Sequence, residues 1–203
     1  MVPPRAPKAP LLAAERLGWR LVSYPAFRGR LLALAGEVAR RRGRGDADWE
    51  GAPQAKLLKR VVELAAAEIP KNPAAPEYEQ GNTLGTDARG WRRAKFLGRF
   101  RLFFRFDSRS KIIVYAWVND EATLRKEGAP TDPYAVFRAR LVAGDPPHGW
   151  DALIDACRAP LDDPERRALE ALLGPVAPLP EAPAEPPATR GVGAKGKRKA
   201  KDR

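Results

Sequence analysis

The sequence predicts an α+β domain, with N-terminal helices packed on a small antiparallel sheet and further helices after it. Three observations predict it. Apolar residues recur at helical spacing from about Ala26 to Arg42, and again from about Pro53 to Ile69. Between Trp91 and Trp117 the period drops to two, with Phe100, Leu102, Phe104 and Phe106 at alternate positions. Helical spacing returns after Asp132.

In chain order, residues 1–15 read as a disordered leader, since the first ten include four prolines. From Leu17, LGWRLVSYPAF supplies Trp19, Tyr24 and Phe27 as anchors. The first helix places Phe27, Leu31, Leu34, Ala35 and Val38 on one face, and the loop RRGRGDADWEG ends it. Pro53 suits the first position of the second helix, whose apolar stripe is Leu57, Leu58, Val61, Val62, Ala65 and Ile69. Pro70 stops it. KNPAAPEY then connects to the Gly-rich GNTLGTDARG.

The first strand is expected over Trp91–Leu97, with Gly98 in a tight turn, and the second over Arg99–Phe106. The third, IIVYAWV, is apolar on both faces and should be the most buried. A helical turn is expected within Glu121–Lys126. Asp132 as N-cap and Pro133 at N1 then start a helix reaching Ala143. After the rigid turn GDPPHGW comes a short helix with Leu153 and Ile154. The folded domain is therefore expected over residues 16–158. Residues 159–174 read as an extra C-terminal helix between Asp163 and Gly174, and 175–203 as a disordered Pro/Ala-rich and basic tail.

The 203-residue chain carries a formal net charge of +12. Residues 190–203 account for +6, so the remainder is basic in its own right, and a polyanionic partner is expected. One cysteine excludes a disulfide framework, and one histidine excludes a two-histidine acid/base ribonuclease. No apolar run reaches 18 residues and the N-terminus lacks a secretory pattern, so a cytoplasmic protein is expected. GNTLG is neither a phosphate-binding loop of the GxxxxGK[ST] type nor a dinucleotide fingerprint. The sheet offers few carboxylates for a two-metal nuclease, so neither a metal nor another cofactor is expected.

Residues 89–111 hold nine Lys or Arg against one acid, Asp107. Alternation gives Trp91, Arg93, Lys95 and Leu97 one face of the first strand, and Arg99, Arg101, Phe103 and Arg105 one face of the second. If the two faces coincide, Arg93, Lys95, Arg101 and Arg105 converge on a patch one or two nucleotides wide. Fixed positive charge there would stabilise a pentavalent phosphate. Arginine can only stabilise or orient. A lysine crowded by arginines has a lowered pKa and can act as a base toward a 2′-hydroxyl. The same pattern also fits a non-catalytic RNA- or ribosome-binding module that docks on phosphates. Trp91 reads either as a core residue or as a platform for a base, and Tyr134 as a packing residue, as a contact to a base or as a proton donor. Trp117 reads as core, His148 as a surface loop residue, and Arg92 as solvated or packing.

The pattern W-x-R-x-K-F followed by R-[YF]-R-L-F-F-R-[YF], here Trp91, Arg93, Lys95, Phe96 and Arg99 to Phe106, resembles the YhaV family of bacterial toxins. Further matches are Gly18–Trp19, Asn72–Pro73, Gly81 to Gly85, W-x-N-D-E at Trp117 to Glu121, TLR at Thr123 to Arg125, TD-x-Y at Thr131 to Tyr134, and PP-x-x-W at Pro146 to Trp150. They span roughly residues 17–157 in order. The resemblance implies a RelE-like fold and a metal-independent endoribonuclease of a type II toxin–antitoxin system. Such an enzyme cleaves mRNA, free or on the ribosome, and arrests translation and growth. The implied partner is a PrlF-type antitoxin with an AbrB-like domain, through which the pair reaches promoter DNA. No membrane partner is implied. Carried onto this sequence, Arg93 is the phosphate-contacting cation, Lys95 the base, and Arg101 and Arg105 the transition-state stabilisers. Trp91, Arg99 and Tyr134 are RNA contacts, and Asp120 and Glu121 orient the cations.

Overall fold

The computed structural model describes residues 9–81, 83–85 and 88–178. Residues 1–8 of the expected leader, residues 179–203 of the expected tail, and Asn82, Thr86 and Asp87 of the Gly-rich segment lie outside the described residues. Among the described residues there are six strands: β1 (Leu12–Arg16), β2 (Trp19–Ser23), β3 (Arg92–Phe96), β4 (Phe100–Asp107), β5 (Ile112–Val118) and β6 (Val176–Pro178). Five α-helices accompany them: α1 (Pro25–Gly43), α2 (Pro53–Glu63), α3 (Pro133–Val142), α4 (Trp150–Ala156) and α5 (Asp163–Leu173). The α+β class is as expected. The sheet is larger than expected and is mixed, in the order β3-β4-β5-β2-β1-β6, with β2 and β5 parallel.

Several expectations are corrected here. LGWRLVSYPAF contributes β2 itself, and β1 forms from residues 12–16, most of them assigned to the leader. The hairpin between them turns on Leu17 and Gly18, both at positive φ, which matches the right-handed twist of the flanking strands. The stretch is too short for its alternation to stand out, so it reads as anchors only. The expected tail begins with β6, which pairs antiparallel with β1. The expected C-terminal helix, α5, packs on the domain, with Leu169 and Leu173 buried in the same core as α1 and α2. Its N-cap is Asp162, not Asp163. The Asp162 carboxylate accepts from the Glu165 N–H at 2.7 Å, in a capping box.

α1 follows its apolar spacing, with Phe27, Leu31 and Leu34 wholly buried and Pro25 in its first turn. Each such side chain contributes roughly 1.5–3 kcal/mol by burial. α2 runs directly into a π-helical turn, Leu64–Glu68. That turn is pinned by the buried Tyr115 hydroxyl, which donates to the Ala65 carbonyl at 2.6 Å. α1, α2 and α5 cover one face of the sheet, and α3 and α4 cover the other. β5 between them is buried at every position, as its apolar run requires. A bulge in β5 leaves Ala116 out of register between Phe103↔Trp117 and Phe104↔Tyr115. It sets Trp117 into the core beneath α3.

Candidate active site

The β3–β4 hairpin carries the basic run, and its register decides which side chains meet. Arg93 pairs with Phe103 and Lys95 with Arg101 across the hairpin. Paired residues share a face. Arg93, Lys95, Arg101 and Arg105 therefore lie on one face, the one beneath α3, so the register makes the two strand faces coincide. Ala94, Phe96, Leu102 and Phe104 go to the opposite core. Arg92 lies on that side too, paired with Glu79 at 3.0 Å and packed over Phe106.

The row of cations is not uniformly open, because α3 buries the centre of this face. Phe103 is wholly buried, stacked on Phe137 of α3 at 4.2 Å between centroids. Arg101 is only 6% exposed. Its Nη1 donates to the Gly98 and Phe100 carbonyls at 3.1 and 2.7 Å, and its Nε to the Tyr134 hydroxyl at 3.3 Å. Arg105 is half-buried. It lies between Trp91 and Trp150, 5.5 and 5.7 Å from their ring centroids, and its Nη1 donates to the His148 carbonyl. Burial lowers the Arg105 pKa from its ordinary value. Trp91, in the core with Phe137, is 1% exposed. The expected contact to a base is corrected, since α3 covers the ring.

Arg93 is part-buried and Lys95 exposed. Arg93 donates from Nε to the Tyr134 hydroxyl at 2.7 Å and from Nη1 to the Glu77 carbonyl at 2.9 Å. The Tyr134 hydroxyl thus accepts from two guanidinium groups, which uses its acceptor capacity and leaves its own proton to donate. Beside Arg93 and Lys95 runs a groove of about 420 Å³, with Arg60, Glu68 and Glu79 in its lining. Another, of about 430 Å³, holds Tyr134, Arg125, Asp132 and Arg138.

Asp120 and Glu121 do not serve as expected. The Asp120 carboxylate caps the short 3₁₀ turn Glu121–Thr123, accepting from the Ala122 and Thr123 N–H groups and the Thr123 hydroxyl. Glu121 pairs with Arg30 of α1 at 2.7 Å. Their positions just after β5 suggest the cations, but the chain turns there and their oxygens satisfy other donors. The residue that reaches the site from this corner is Asn119, wholly buried. Its Oδ1 accepts from the Arg101 backbone N–H at 2.6 Å, and its Nδ2 donates to the Thr123 carbonyl at 2.8 Å. Arg99, exposed at the hairpin end, donates from Nε to the Arg125 carbonyl at 3.1 Å. The motifs W-x-N-D-E, TLR and TD-x-Y contain Asn119, Arg125 and Asp132, yet nothing in their spacing states that they meet around Arg101 and Tyr134.

Fold and site together define a basic α+β protein with cations and a tyrosine hydroxyl gathered on one sheet face, the equipment for holding a phosphate. Comparison with known families takes the class further. Residues 21–158 match the YhaV toxin family, described as a toxin with endonuclease activity, of a toxin–antitoxin system. Over 138 residues the chain is 38% identical to "Toxin YhaV" of Escherichia coli O6:H1 and to "Ribonuclease toxin YhaV" of Escherichia coli K12. The alignments cover 67% of this chain and 90% of each relative. The chain belongs to the YhaV toxin family, whose activity is that of an endonuclease. No solved structure matches it significantly. β1, α5 and β6 lie outside the matched residues. Among the described residues no helix is long and apolar enough to cross a membrane.

Proposed function

We propose that this chain is a metal-independent endoribonuclease that cleaves mRNA and so inhibits translation and growth. One observation carries the reading: the Tyr134 hydroxyl joins Arg93 and Arg101 on the face that also presents Lys95. With Nε and Nη1 of Arg93 already held, Nη2 is the nitrogen that meets a phosphate oxygen. Lys95, in its neutral form, takes the proton of the 2′-hydroxyl, and the freed oxygen attacks the adjacent phosphorus. The bond to the 5′-oxygen breaks as that oxygen receives a proton from the Tyr134 hydroxyl. The products are a 2′,3′-cyclic phosphate and a 5′-hydroxyl. Arg101 and Arg105 act on the developing charge through their fields, since Arg101 is buried beneath α3 and Arg105 lies between Trp91 and Trp150.

The same reading places the protein in the cytoplasm with a RelE-like fold and a PrlF-type, AbrB-like antitoxin. Promoter DNA is reached only through the antitoxin complex, and the mRNA is engaged free or on the ribosome. Its support is the resemblance over residues 17–157 and the family's membership in toxin–antitoxin systems. The test is incubation with a defined mRNA fragment in EDTA, with and without ribosomes. Cyclic or 3′-phosphate ends that disappear in Arg93→Ala are the expected result. RNA binding without cleavage in either condition would refute the enzyme and leave a binding module.

A further inference from the structure

The sequence motifs TLR and TD-x-Y, separated in the chain, meet at Tyr134. We propose that Arg125 and Asp132 form a part-buried ion pair whose task is to position the Tyr134 hydroxyl for the reaction, an inference that rests on the catalytic reading of that hydroxyl. Asp132 is 4% exposed, and both its oxygens are occupied. Oδ1 accepts from the Tyr134 N–H at 3.0 Å, capping α3 at the residue that carries the phenol. Oδ2 accepts from the Lys126 N–H at 2.9 Å and from Arg125 Nη1. The Arg125 guanidinium then lies 5.3 Å from the Tyr134 ring centroid, while Arg101 lies 5.9 Å from the same ring. Phe103 meets the ring edge-on at 5.7 Å.

This arrangement fixes the phenol at both ends. Its backbone is capped by Asp132, its ring is flanked by two guanidinium groups, and its oxygen is held by Arg93 and Arg101. The loop bearing Arg125 is itself anchored, because the Arg125 N–H donates to the Arg99 carbonyl at 3.1 Å. Arg125 also pairs with the exposed Glu127 at 3.3 Å. Two carboxylates therefore offset its charge, which makes it a poor phosphate contact and a good support. A planar guanidinium serves where lysine does not, since stacking and a directed hydrogen bond to Asp132 are needed together. Arg125 and Asp132 touch no reacting atom and are positioning residues.

Steady-state cleavage of a defined RNA fragment by the full chain tests this, with Arg125→Lys, Asp132→Asn, Tyr134→Phe, the Arg125→Lys/Tyr134→Phe double variant and Arg93→Ala. Arg125→Lys and Asp132→Asn are each expected to lower kcat about tenfold with KM changed less than about threefold. The double variant should be no slower than the slower of its two single variants, because positioning is lost only once. A raised KM at unchanged kcat would make Arg125 a direct RNA contact and overturn the proposal. So would wild-type kinetics, or losses that multiply in the double variant. Asp132→Asn retains an amide oxygen for the α3 cap and answers the same question should Arg125→Lys lose its thermal transition. If Arg93→Ala cleaves like wild type, the catalytic reading fails by itself, whatever Arg125→Lys does.

Discussion

Tyr134 shows how much one side chain depends on the elements around it. Its hydroxyl lies where β3 and β4 each bring a guanidinium. Tyr134→Phe removes an acceptor from both arginines and the proton donor of the reaction, while the ring packing remains. Its kcat is expected to fall about a hundredfold, within the usual range for general acid–base catalysis, with the melting temperature little changed. Single-turnover cleavage and thermal melting together check this. Cys157 makes a contrasting case. Burial pushes its thiol up to about 12, and it belongs to the core beneath α3 and α4. A thiol-specific reagent at pH 8 is expected to leave it unmodified in the native protein and to label it fully after unfolding.

At the scale of elements, α5, outside the expected domain, and the π-helical turn, inside it, each carry a testable share of the stability. Leu169 and Leu173 are 3% and 2% exposed, against a core built by α1 and α2. Leu169→Ala should cost about 3 kcal/mol in equilibrium urea unfolding, which an appended helix would not show. The π turn swings Glu68 back to Arg60, which donates to it from both Nη1 and Nη2. These hydrogen bonds hold the Glu68 carboxyl below its ordinary value of 4.5. The contribution is thus complete above that value and is lost as pH falls through the lower folded value. The pair is partly solvated, so the effect is small. In paired thermal melts, the deficit of Glu68→Gln relative to wild type is expected at pH 7 and should shrink steadily below pH 4.5.

On the scale of the whole molecule, charge and sheet architecture separate cleanly. The site lies on the β3–β4 side of the sheet, while β1 and β6 close the opposite side. Residues 190–203 hold seven basic groups, which are expected to add to RNA affinity. Deleting them is expected to flatten the slope of log K against log salt for single-stranded RNA by up to about 5. Filter binding across a salt series measures this.

Sequence alone determined the helices, the β3–β4–β5 meander and which cations share a face within each strand, and the hairpin register then puts Arg93, Lys95, Arg101 and Arg105 on one face. Periodicity and capping are local, and a period of two assigns faces without reference to the rest of the chain. Only the tertiary structure decided that this face is half covered. α3 lands on it, sinks Arg101 and Trp91, and leaves Lys95 and part of Arg93 open. Long-range pairing likewise made strands of residues 12–16 and 176–178, neither of which has a strong pattern of its own. It also placed Asn119, Arg125 and Asp132 around the cations in place of Asp120 and Glu121. The difference is physical: alternation assigns a side chain to a face, but burial and hydrogen-bond partners depend on segments distant in the chain that pack against it.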